Sequence, residues 1–592
     1  MLDHIRQLFR CFTRDQKRSF IYLQALIVAM SLLEVISIAL IGPFLTQLMN
    51  GDENQWIIEF FSIALDVDNH DLIQYVGIFI LLVLIISTMV SVLTTYLLAM
   101  FSAKTGAELS DRLFKYYCEQ DILYHNNQNT SLITKNLSTE TLRLTDLVIN
   151  PLMQMNAKIV LSLFIFGFIF FVNPLIALIG ISFFIFTYYL IYMSVKVKLD
   201  VNGRNLTDVI SKRFLVINEC FGGINEVILL NKKEFFHNKY KILGRLYSKT
   251  RGANHAISLA PRYLVELIVY GAIVTAILII ILFYPDKTNS YVNLIALYAV
   301  ASLKLLPALQ HIFTSITQIR GNISSFNYLK TDLLASNSTI AVKIHRDFKK
   351  FESLEFQHIN FKYPNNNFNT LKDVSLTINR NDCIAFVGPS GSGKSTLINV
   401  ILGHLIPTNG EILINGKTDG FHNYANRGSV VGYVPQNIYL TDNTIRENIA
   451  FGIDAEHIDS DRLKTAIGKA NLGEFVASLE HGLETCVGER GVQVSGGQKQ
   501  RIGIARALYN DPDILIFDEA TSALDGNSEK IILQSMNSIL RKKTIIMIAH
   551  RLNTVKNCDT IYIMDNGEIV ESGSFNKLIT DSKLFQEMFN VG

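Results

Sequence analysis

The segment GPSGSGKS at residues 388–395 lies between two apolar runs, CIAFV at 383–387 and TLINVILG at 396–403. It fits the pattern G-x-x-x-x-G-K-[ST], and a strand before it and a helix after it are the context that a phosphate-binding loop requires. Glycines let backbone N–H groups surround phosphate oxygens, and the helix N-terminus adds the positive end of its dipole. We expect Lys394 to neutralise the β- and γ-phosphates and Ser395 to bind Mg²⁺.

A second apolar run, ILIFDE at 514–519, ends in two acids. We expect Asp518 to hold Mg²⁺, directly or through water, and Glu519 to polarise the attacking water as a general base. His550 ends the run TIIMIA and is expected to contact the γ-phosphate, whereas a structural histidine is the alternative. Gln436 follows VVGYVP and could reach Mg²⁺ and the water.

A third motif, VSGGQ at 494–498, opens a helix that we expect to begin near Gln498. A small residue and two glycines at a helix start form a second anion site. Because one nucleotide does not need two such sites in one chain, Ser495 and Gly497 are expected to close over a γ-phosphate held by another copy. The alternative is an ordinary helix cap. Tyr363, in FKYP, could stack on adenine.

The surroundings of these motifs predict an α/β domain. Short β-rich runs alternate with helical stretches after the polar segment 336–352, which is interpreted as a linker, and this alternation favours parallel strands. The runs are CIAFVG, VVGYVP, ILIFDE, TIIMIAH and TIYIMDNG.

The first half of the chain has the composition of a membrane domain. Only 18% of all residues are charged, against roughly 25% in soluble proteins, and 49% are hydrophobic, with a mean hydropathy of +0.26. Six stretches are long enough to cross a bilayer: about 20–48, 71–100, 147–172, 174–195, 259–284 and 290–318. The net charge of +2 gives no argument for nucleic-acid binding.

The loops between these stretches indicate the orientation. Loop 51–70 has no Lys or Arg, whereas the long loops 101–146 and 196–258 are rich in both. The positive-inside rule therefore places both termini and the two long loops in the cytoplasm. The 6 cysteines have no metal-ligand spacing and are expected to be reduced thiols.

Four charged residues fall within the predicted spans: Glu34, Arg262, Glu266 and Lys304. Charges at bilayer depth usually face a cavity or a partner, because exposing them to lipid costs a few kcal/mol. Arg262 could pair with Glu266, and Glu34 with Lys304; contact with a substrate is an equally weighted alternative. Cations in a cavity would suit a phosphate or pyrophosphate head group.

The ordered motifs resemble those of ATP-binding-cassette (ABC) transporters. They match the A-loop at Tyr363, Walker A at 388–395, the Q-loop at Gln436, the family signature at 494–498, Walker B, the D-loop SALD at 522–525 and the H-loop at His550. The departure is Val494, where Leu is usual.

The resemblance implies an exporter-type half-transporter: an all-α six-helix transmembrane domain (1–335), a linker (336–352) and an α/β P-loop ATPase domain (353–592). It implies a homodimer, or else a heterodimer, that shares two ATP sites. It also implies coupling helices at about 120–128 and 215–226, which contact the ATPase domain near Gln436 and Glu489.

The residues implied to act in this way form three sets. Catalysis would involve Glu519, His550 and Gln436, and Mg²⁺ would be held by Ser395, Gln436 and Asp518. The ATP contacts would be Tyr363, Gly388, Ser390, Gly391, Gly393, Lys394, Ser395, Thr396, Ser495, Gly497, Gln498 and Asp525.

Further phrases resemble bacterial flippases of lipid-linked oligosaccharides, of the PglK type. These are EVISIALIGPFLTQL, APRYLVELI, LKLLPALQ and QNIYLTDNTIRENIAFG. The resemblance implies ATP-driven transfer of a polyprenyl-pyrophosphate-linked oligosaccharide between leaflets of the bacterial inner membrane. Lys304 replaces a usual Arg, which keeps the charge but loses bidentate phosphate binding. The alternatives are an exporter of drugs, peptides or another lipid, and an ATP-gated channel.

Overall fold

A computed structural model describes residues 2–50, 69–283, 288–336, 351–364, 366–417, 430–488, 491–519, 526–549 and 551–590. The chain forms two compact units, one of residues 1–120 and 124–340 and one of residues 121–123 and 341–592. The predictions for Glu489, Asp525, His550, most of loop 51–70 and most of the linker lie outside the described residues.

In the first part of the chain the described residues form helices, which overlap the predicted spans and mostly extend beyond them. They are α1 (Leu2–Arg10), α2 (Arg14–Asn50), α3 (Asn69–Cys118), α4 (Ile122–Asn127), α5 (Thr130–Lys135), α6 (Thr141–Leu144), α7 (Asn150–Val172), α8 (Pro174–Gly222), α9 (Ile224–Leu229), α10 (Lys233–Phe283) and α11 (Thr288–Ala335). Two π-helical turns, Asn136–Glu140 and Thr145–Ile149, join α5, α6 and α7.

Among the described residues, five helical segments are long and apolar enough to cross a membrane. They are Arg14–Ile41, Gln74–Cys118, Thr130–Val172, Ala177–Gly222 and Ala299–Ala335. The remaining predicted span, 259–284, overlaps the last part of α10, which ends at Phe283, and several side chains there lie outside the described residues. With 50 residues α3 is about 75 Å long, more than twice the hydrocarbon thickness of about 30 Å. Much of the two long loops is therefore helical, as predicted.

A buried ionic cluster joins helices of the first unit, and no sequence pattern predicted it. Glu140, with a fully buried side chain, lies 3.6 Å from the ammonium of Lys135 and 3.4 Å from a guanidinium nitrogen of Arg143. Lys135 also donates to the Ser211 hydroxyl at 2.8 Å, and Arg143 donates to the Asn322 amide oxygen at 2.9 Å. The cluster thus connects the segment before α7 to α8 and α11.

The second unit contains nine strands among its described residues. They are β1 (Ser353–Phe361), β2 (Leu371–Asn379), β3 (Cys383–Val387), β4 (Asn409–Ile414), β5 (Val431–Val434), β6 (Ile514–Asp518), β7 (Thr544–Ile548), β8 (Thr560–Asp565) and β9 (Glu568–Gly573). Its helices are α12 (Lys394–Ile401), α13 (Ile445–Ile449), α14 (Ser460–Lys469), α15 (Gly473–Ala477), α16 (Gly496–Leu508), α17 (Gly526–Ile539), α18 (Leu552–Val555), α19 (Phe575–Asp581) and α20 (Lys583–Asn590).

The strands form two sheets. The larger has the order β5-β6-β7-β3-β8-β9, with every pair parallel except β8 and β9. This confirms the predicted α/β domain, because all five quoted runs are strands of this sheet. The smaller sheet, β2-β1-β4, is antiparallel and was not predicted. Parallel strands bring the segments after β3, β5, β6 and β7 to one edge.

A surface ion cluster lies in the turn between α16 and β6. Asp511 accepts bonds from the ammonium groups of Lys469, at 3.1 Å, and Lys543, at 3.2 Å. Burial raises the pKa of Asp511, but the two lysines lower it by more, so the pKa lies below its ordinary value.

The described cysteines are all free, as predicted.

Candidate functional site

The loop between β3 and α12 has the backbone that its glycines permit. All five residues of β3 are buried, and Gly393 caps α12 with a φ of 102°, which L side chains rarely adopt. At Gly388 a Cβ atom would lie 2.2 Å from the carbonyl oxygen of Met564, so only glycine fits there. Ser390, Gly391 and Ser395 follow this tight start and are exposed.

The Lys394 ammonium lies inside this loop. It donates to the carbonyl oxygens of Gly388 and Pro389, both at 2.8 Å. Burial lowers the pKa of Lys394, and the negative charges of Glu519 and Asp518 oppose that shift. The phosphate loop and the two acids therefore lie at the same edge of the sheet, close enough for their charges to interact, even though β7 lies between β3 and β6.

The acids that follow β6 have defined partners. Asp518 accepts a hydrogen bond from the Tyr433 hydroxyl at 3.1 Å, and Glu519 accepts one from the Gln436 amide at 2.7 Å. Burial, and then Asp518, raise the pKa of Tyr433. Glu519 has a φ of 48°, in the left-handed region that residues other than glycine seldom adopt. The structure thus brings Gln436 and Glu519 together, while Tyr433 is a residue that the sequence patterns did not indicate.

Tyr363 lies beside the phosphate-loop helix. Its hydroxyl is 3.4 Å from the Thr396 hydroxyl, and its ring meets Phe361 edge-on with centroids 4.9 Å apart. The ring is held at the start of the segment that follows β1, close to α12. This position is compatible with the predicted stacking on adenine.

The signature segment forms a capped helix start. Ser495 accepts a hydrogen bond from the Gln498 N–H at 3.3 Å, and its own N–H donates to the Gln498 side chain at 2.8 Å, which makes a capping box. Helix α16 therefore begins at Gly496, two residues before the predicted start. Ser495 is exposed and Gly497 is buried. An exposed N-terminus of a 13-residue helix offers free N–H groups to an anion.

The groups predicted to hold Mg²⁺ fit that ion chemically. Ser395, Asp518 and Gln436 supply oxygen ligands with one carboxylate, and Mg²⁺ commonly keeps several waters and binds nucleotide phosphates. No cluster of three or more His, Cys, Asp or Glu side chains suited to a metal occurs in the described part of the chain. These three side chains therefore suit a metal ion that binds together with a nucleotide.

The four charged residues of the predicted spans form two pairs. Arg262 donates to Glu266 at 2.6 Å, and the Lys304 ammonium lies 3.7 Å from Glu34, which also accepts from the Ser91 hydroxyl at 2.8 Å. The pairing alternative is thus realised in the structure. Arg262 and Lys304 nevertheless keep about half of their side-chain surface exposed, at 50% and 51%.

Comparison with known families accounts for both halves of the chain. The family described as "ABC transporter" matches residues 371–522, and the "ABC transporter transmembrane region" matches residues 20–301. Together the two matches cover most of the sequence. The chain belongs to the ABC transporters. The helical transmembrane domain and the sheet-containing ATPase domain of this ABC transporter are those that the family implies.

Two relatives are similar over part of the transporter. It is 41% identical over 238 residues to the ATP-dependent lipid A-core flippase of Bordetella avium, and the match covers 40% of each chain. It is 42% identical over 238 residues to the "Putative multidrug export ATP-binding/permease protein YgaD" of Bacillus subtilis, over 40% of this chain and 41% of that protein. The transporter thus matches well under half of the length of these relatives.

A solved structure, "Structure of a bacterial Atm1-family ABC exporter with ATP bound", aligns over 97% of both chains. The TM-score is 0.77 and the sequence identity 22%. At this identity the likeness establishes that the ABC transporter shares the exporter fold, and nothing about its substrate.

Proposed function

We propose that the protein is an ATP-driven flippase that moves a polyprenyl-pyrophosphate-linked oligosaccharide from the inner to the outer leaflet of the bacterial inner membrane. The observation that carries the energetic part is the contact of Gln436 with Glu519 beside Lys394, in a chain with long apolar helices. Residues 1–335 would form the transmembrane domain and 353–592 the ATPase domain, with both termini cytoplasmic.

In this proposal Glu519 takes a proton from the attacking water, and Gln436, bonded to it at 2.7 Å, positions that carboxylate and the water. Lys394 exchanges its carbonyl partners for phosphate oxygens. Bound Mg²⁺, held by Ser395 and Asp518, would neutralise charge on the phosphates. Tyr363 stacks on adenine, and His550 and Asp525 complete the site.

The cassette would act as a homodimer. The N-terminus of α16 is exposed, so a nucleotide held by a second copy can reach it, although Ser495 and Gln498 of the same chain cap its first turn. Complementation tests this arrangement. Lys394→Ala and Ser495→Arg chains should each lack ATPase activity as homodimers. Mixed dimers would contain one intact site, with wild-type Lys394 from one chain and wild-type Ser495 from the other. Mixing the two variants should therefore restore a measurable part of the activity, whereas a site built within one chain predicts no recovery.

The choice of a lipid substrate rests on the sequence resemblance and on the relative named as a lipid A-core flippase. The half-exposed Arg262 and Lys304 offer cations that could exchange carboxylate partners for a pyrophosphate. Such a head group cannot cross about 30 Å of hydrocarbon unaided. Segments 120–128 and 215–226 would couple the ATPase cycle to the helices, by a rigid-body switch between two packings.

Proteoliposomes that contain a pyrophosphate-linked glycolipid test the proposal. Glu519→Gln should retain ATP binding and lose both hydrolysis and ATP-dependent transfer. Glu456→Gln, an exposed acid of the same domain, is the matched control and should behave as the wild type. Equal ATP-dependent transfer by the wild type and Glu519→Gln would refute the mechanism.

Export of drugs, peptides or another lipid is the second candidate, favoured by the relative whose name includes multidrug export. Stimulation of the ATPase by a panel of these compounds, with no response to pyrophosphate-linked glycolipid, would favour it.

A further inference from the structure

Two cavities of the first unit lie between α8 and α11, and they differ sharply in chemistry. The larger, the tail cavity, has a volume of about 450 Å³, and its lining includes Phe184, Tyr188, Tyr189, Tyr192, Phe313 and Ile316. Its walls are almost wholly apolar, so it suits a hydrocarbon chain.

The smaller cavity, the head pocket, has a volume of about 170 Å³ and a largely polar wall. Its lining includes His4, Asp200, Arg204, Arg320, Ser324 and Asn327. The volume equals that of about five or six waters, so it is large enough for a phosphate or pyrophosphate group.

One residue contact joins the two cavities. Arg320, in the head pocket, donates to the hydroxyl of Tyr192, in the tail cavity, and its guanidinium lies 5.3 Å from the centre of that ring. Ile316 of the tail cavity and Arg320 of the head pocket are four residues apart, so they lie on the same face of α11. Asp200 and Arg204 of the head pocket are likewise neighbours on one face of α8. The lining therefore changes from apolar to charged along one pair of helix faces.

The head pocket has a spare positive charge. Both oxygens of Asp200 accept from Arg320, at 2.7 and 2.5 Å, so these two charges offset each other. Arg204 is exposed, so water can reach it, and it has no ion-pair or hydrogen-bond partner within the described part of the chain. The buried Nδ1 of His4 likewise has no hydrogen-bond partner among the described residues. An anion in the pocket would supply acceptors to both side chains.

We propose that these joined cavities form one binding site for a lipid phosphate. The anionic head lies against Arg204, and the first part of the chain lies in the tail cavity. This inference rests on the proposed flippase function and places initial substrate capture here. Arg262 and Lys304, each paired with a carboxylate, line neither cavity, so any contact they make with the pyrophosphate would follow this first capture. A free phosphate would leave the aromatic cavity unfilled, and a neutral lipid would give Arg204 no anionic partner, whereas a lipid with a phosphate head satisfies both.

Equilibrium binding of radiolabelled undecaprenyl pyrophosphate to the purified full-length protein tests the site. Unlabelled inorganic pyrophosphate and undecaprenol serve as competitors with only the head or only the tail. Arg204→Gln removes the cation, and Ile312→Trp narrows the tail cavity, which Ile312 also lines. The matched controls are Arg245→Gln and Leu303→Trp, which replace exposed residues outside both cavities.

Arg204→Gln and Ile312→Trp should each weaken binding about tenfold. Arg204→Gln removes one charged hydrogen bond to the head, and Ile312→Trp displaces part of the lipid chain from the tail cavity. Both controls should bind as the wild type, and neither competitor alone should displace the probe at equal concentration. Wild-type affinity in Arg204→Gln, or full competition by inorganic pyrophosphate, would overturn this site. If the wild type binds and transfers the lipid in those cases, the flippase function stands. If the wild type neither binds nor transfers it, the proposed function fails as well.

Discussion

Replacing Glu140 with Gln tests whether the buried ionic cluster holds the first unit together. The cluster has two cations and one carboxylate, and the side chains of Lys135 and Glu140 are fully buried. Glu140→Gln keeps the shape but removes the negative charge, so Lys135 and Arg143 remain buried without compensation. Breaking a buried pair in this way costs about 3–5 kcal/mol.

The converse change should cost much less. Lys135→Met removes one of the two cations and leaves Glu140 and Arg143 as a balanced pair, 3.4 Å apart. Its cost comes from the lost hydrogen bond to Ser211 and the lost contact of the ammonium with the Tyr328 ring, 4.4 Å away, together on the order of 1–2 kcal/mol. The order of the two variants therefore distinguishes charge balance from a simple loss of contacts.

Thermal unfolding in detergent, at one scan rate for all variants, is the assay. With an unfolding entropy of roughly 2 cal/mol/K per residue over about 340 residues, a loss of about 3–5 kcal/mol lowers the Tm by about 4–7 °C. We expect this shift for Glu140→Gln and a shift of at most about 3 °C for Lys135→Met. Equal melting of Glu140→Gln and the wild type, or a larger shift for Lys135→Met, would refute the reasoning.

Three further predictions concern the second unit. Gly388→Ala should lower the affinity for a fluorescent ATP analogue at least about tenfold, because its Cβ would meet the Met564 carbonyl at 2.2 Å, whereas Gly468→Ala, with no atom within 4 Å, should bind normally. Ser495→Ala should destabilise the start of α16 by about 1 kcal/mol, seen as faster hydrogen exchange of its first amides. Asp511→Asn should cost less than about 1 kcal/mol at pH 7, since the site is largely exposed. Because the folded pKa of Asp511 is lowered, its stabilisation exists above the unfolded pKa of about 3.9 and is lost as the pH falls through the folded value. The difference in Tm should therefore shrink between pH 5 and pH 3, and a constant difference would contradict the assignment.

Several features followed from the sequence because their physics is local. The phosphate loop needs glycines at fixed positions between a strand and a helix, so its pattern and position could be predicted from residues 383–403. Apolar runs of 20 or more residues similarly predict long helices, and the break between the predicted spans 147–172 and 174–195 coincides with the break between α7 and α8. The parallel strands were recognisable from their short apolar runs.

Boundaries and unpredicted partners depended on side-chain geometry. The α16 start was wrong by two residues because the capping box of Ser495 and Gln498 lies outside the apolar periodicity. The antiparallel β2-β1-β4 sheet was missed because the prediction rested on continuous apolar runs, whereas β2 alternates buried and exposed residues, the pattern of a half-buried strand. Tyr433 approaches Asp518 only because β5 pairs in parallel with β6, and no spacing rule links two residues that are 85 positions apart.

The sequence by itself determined the nucleotide loop, the long apolar helices and the family, since each is written in contiguous residues. Only the tertiary structure decided which charges are neutralised. Glu34 and Lys304 meet from α2 and α11, and Asp200 meets Arg320 from α8, which leaves Arg204 without a partner among the described residues. Coulomb energies depend on distance and burial, and for residues far apart in the chain helix packing alone fixes both.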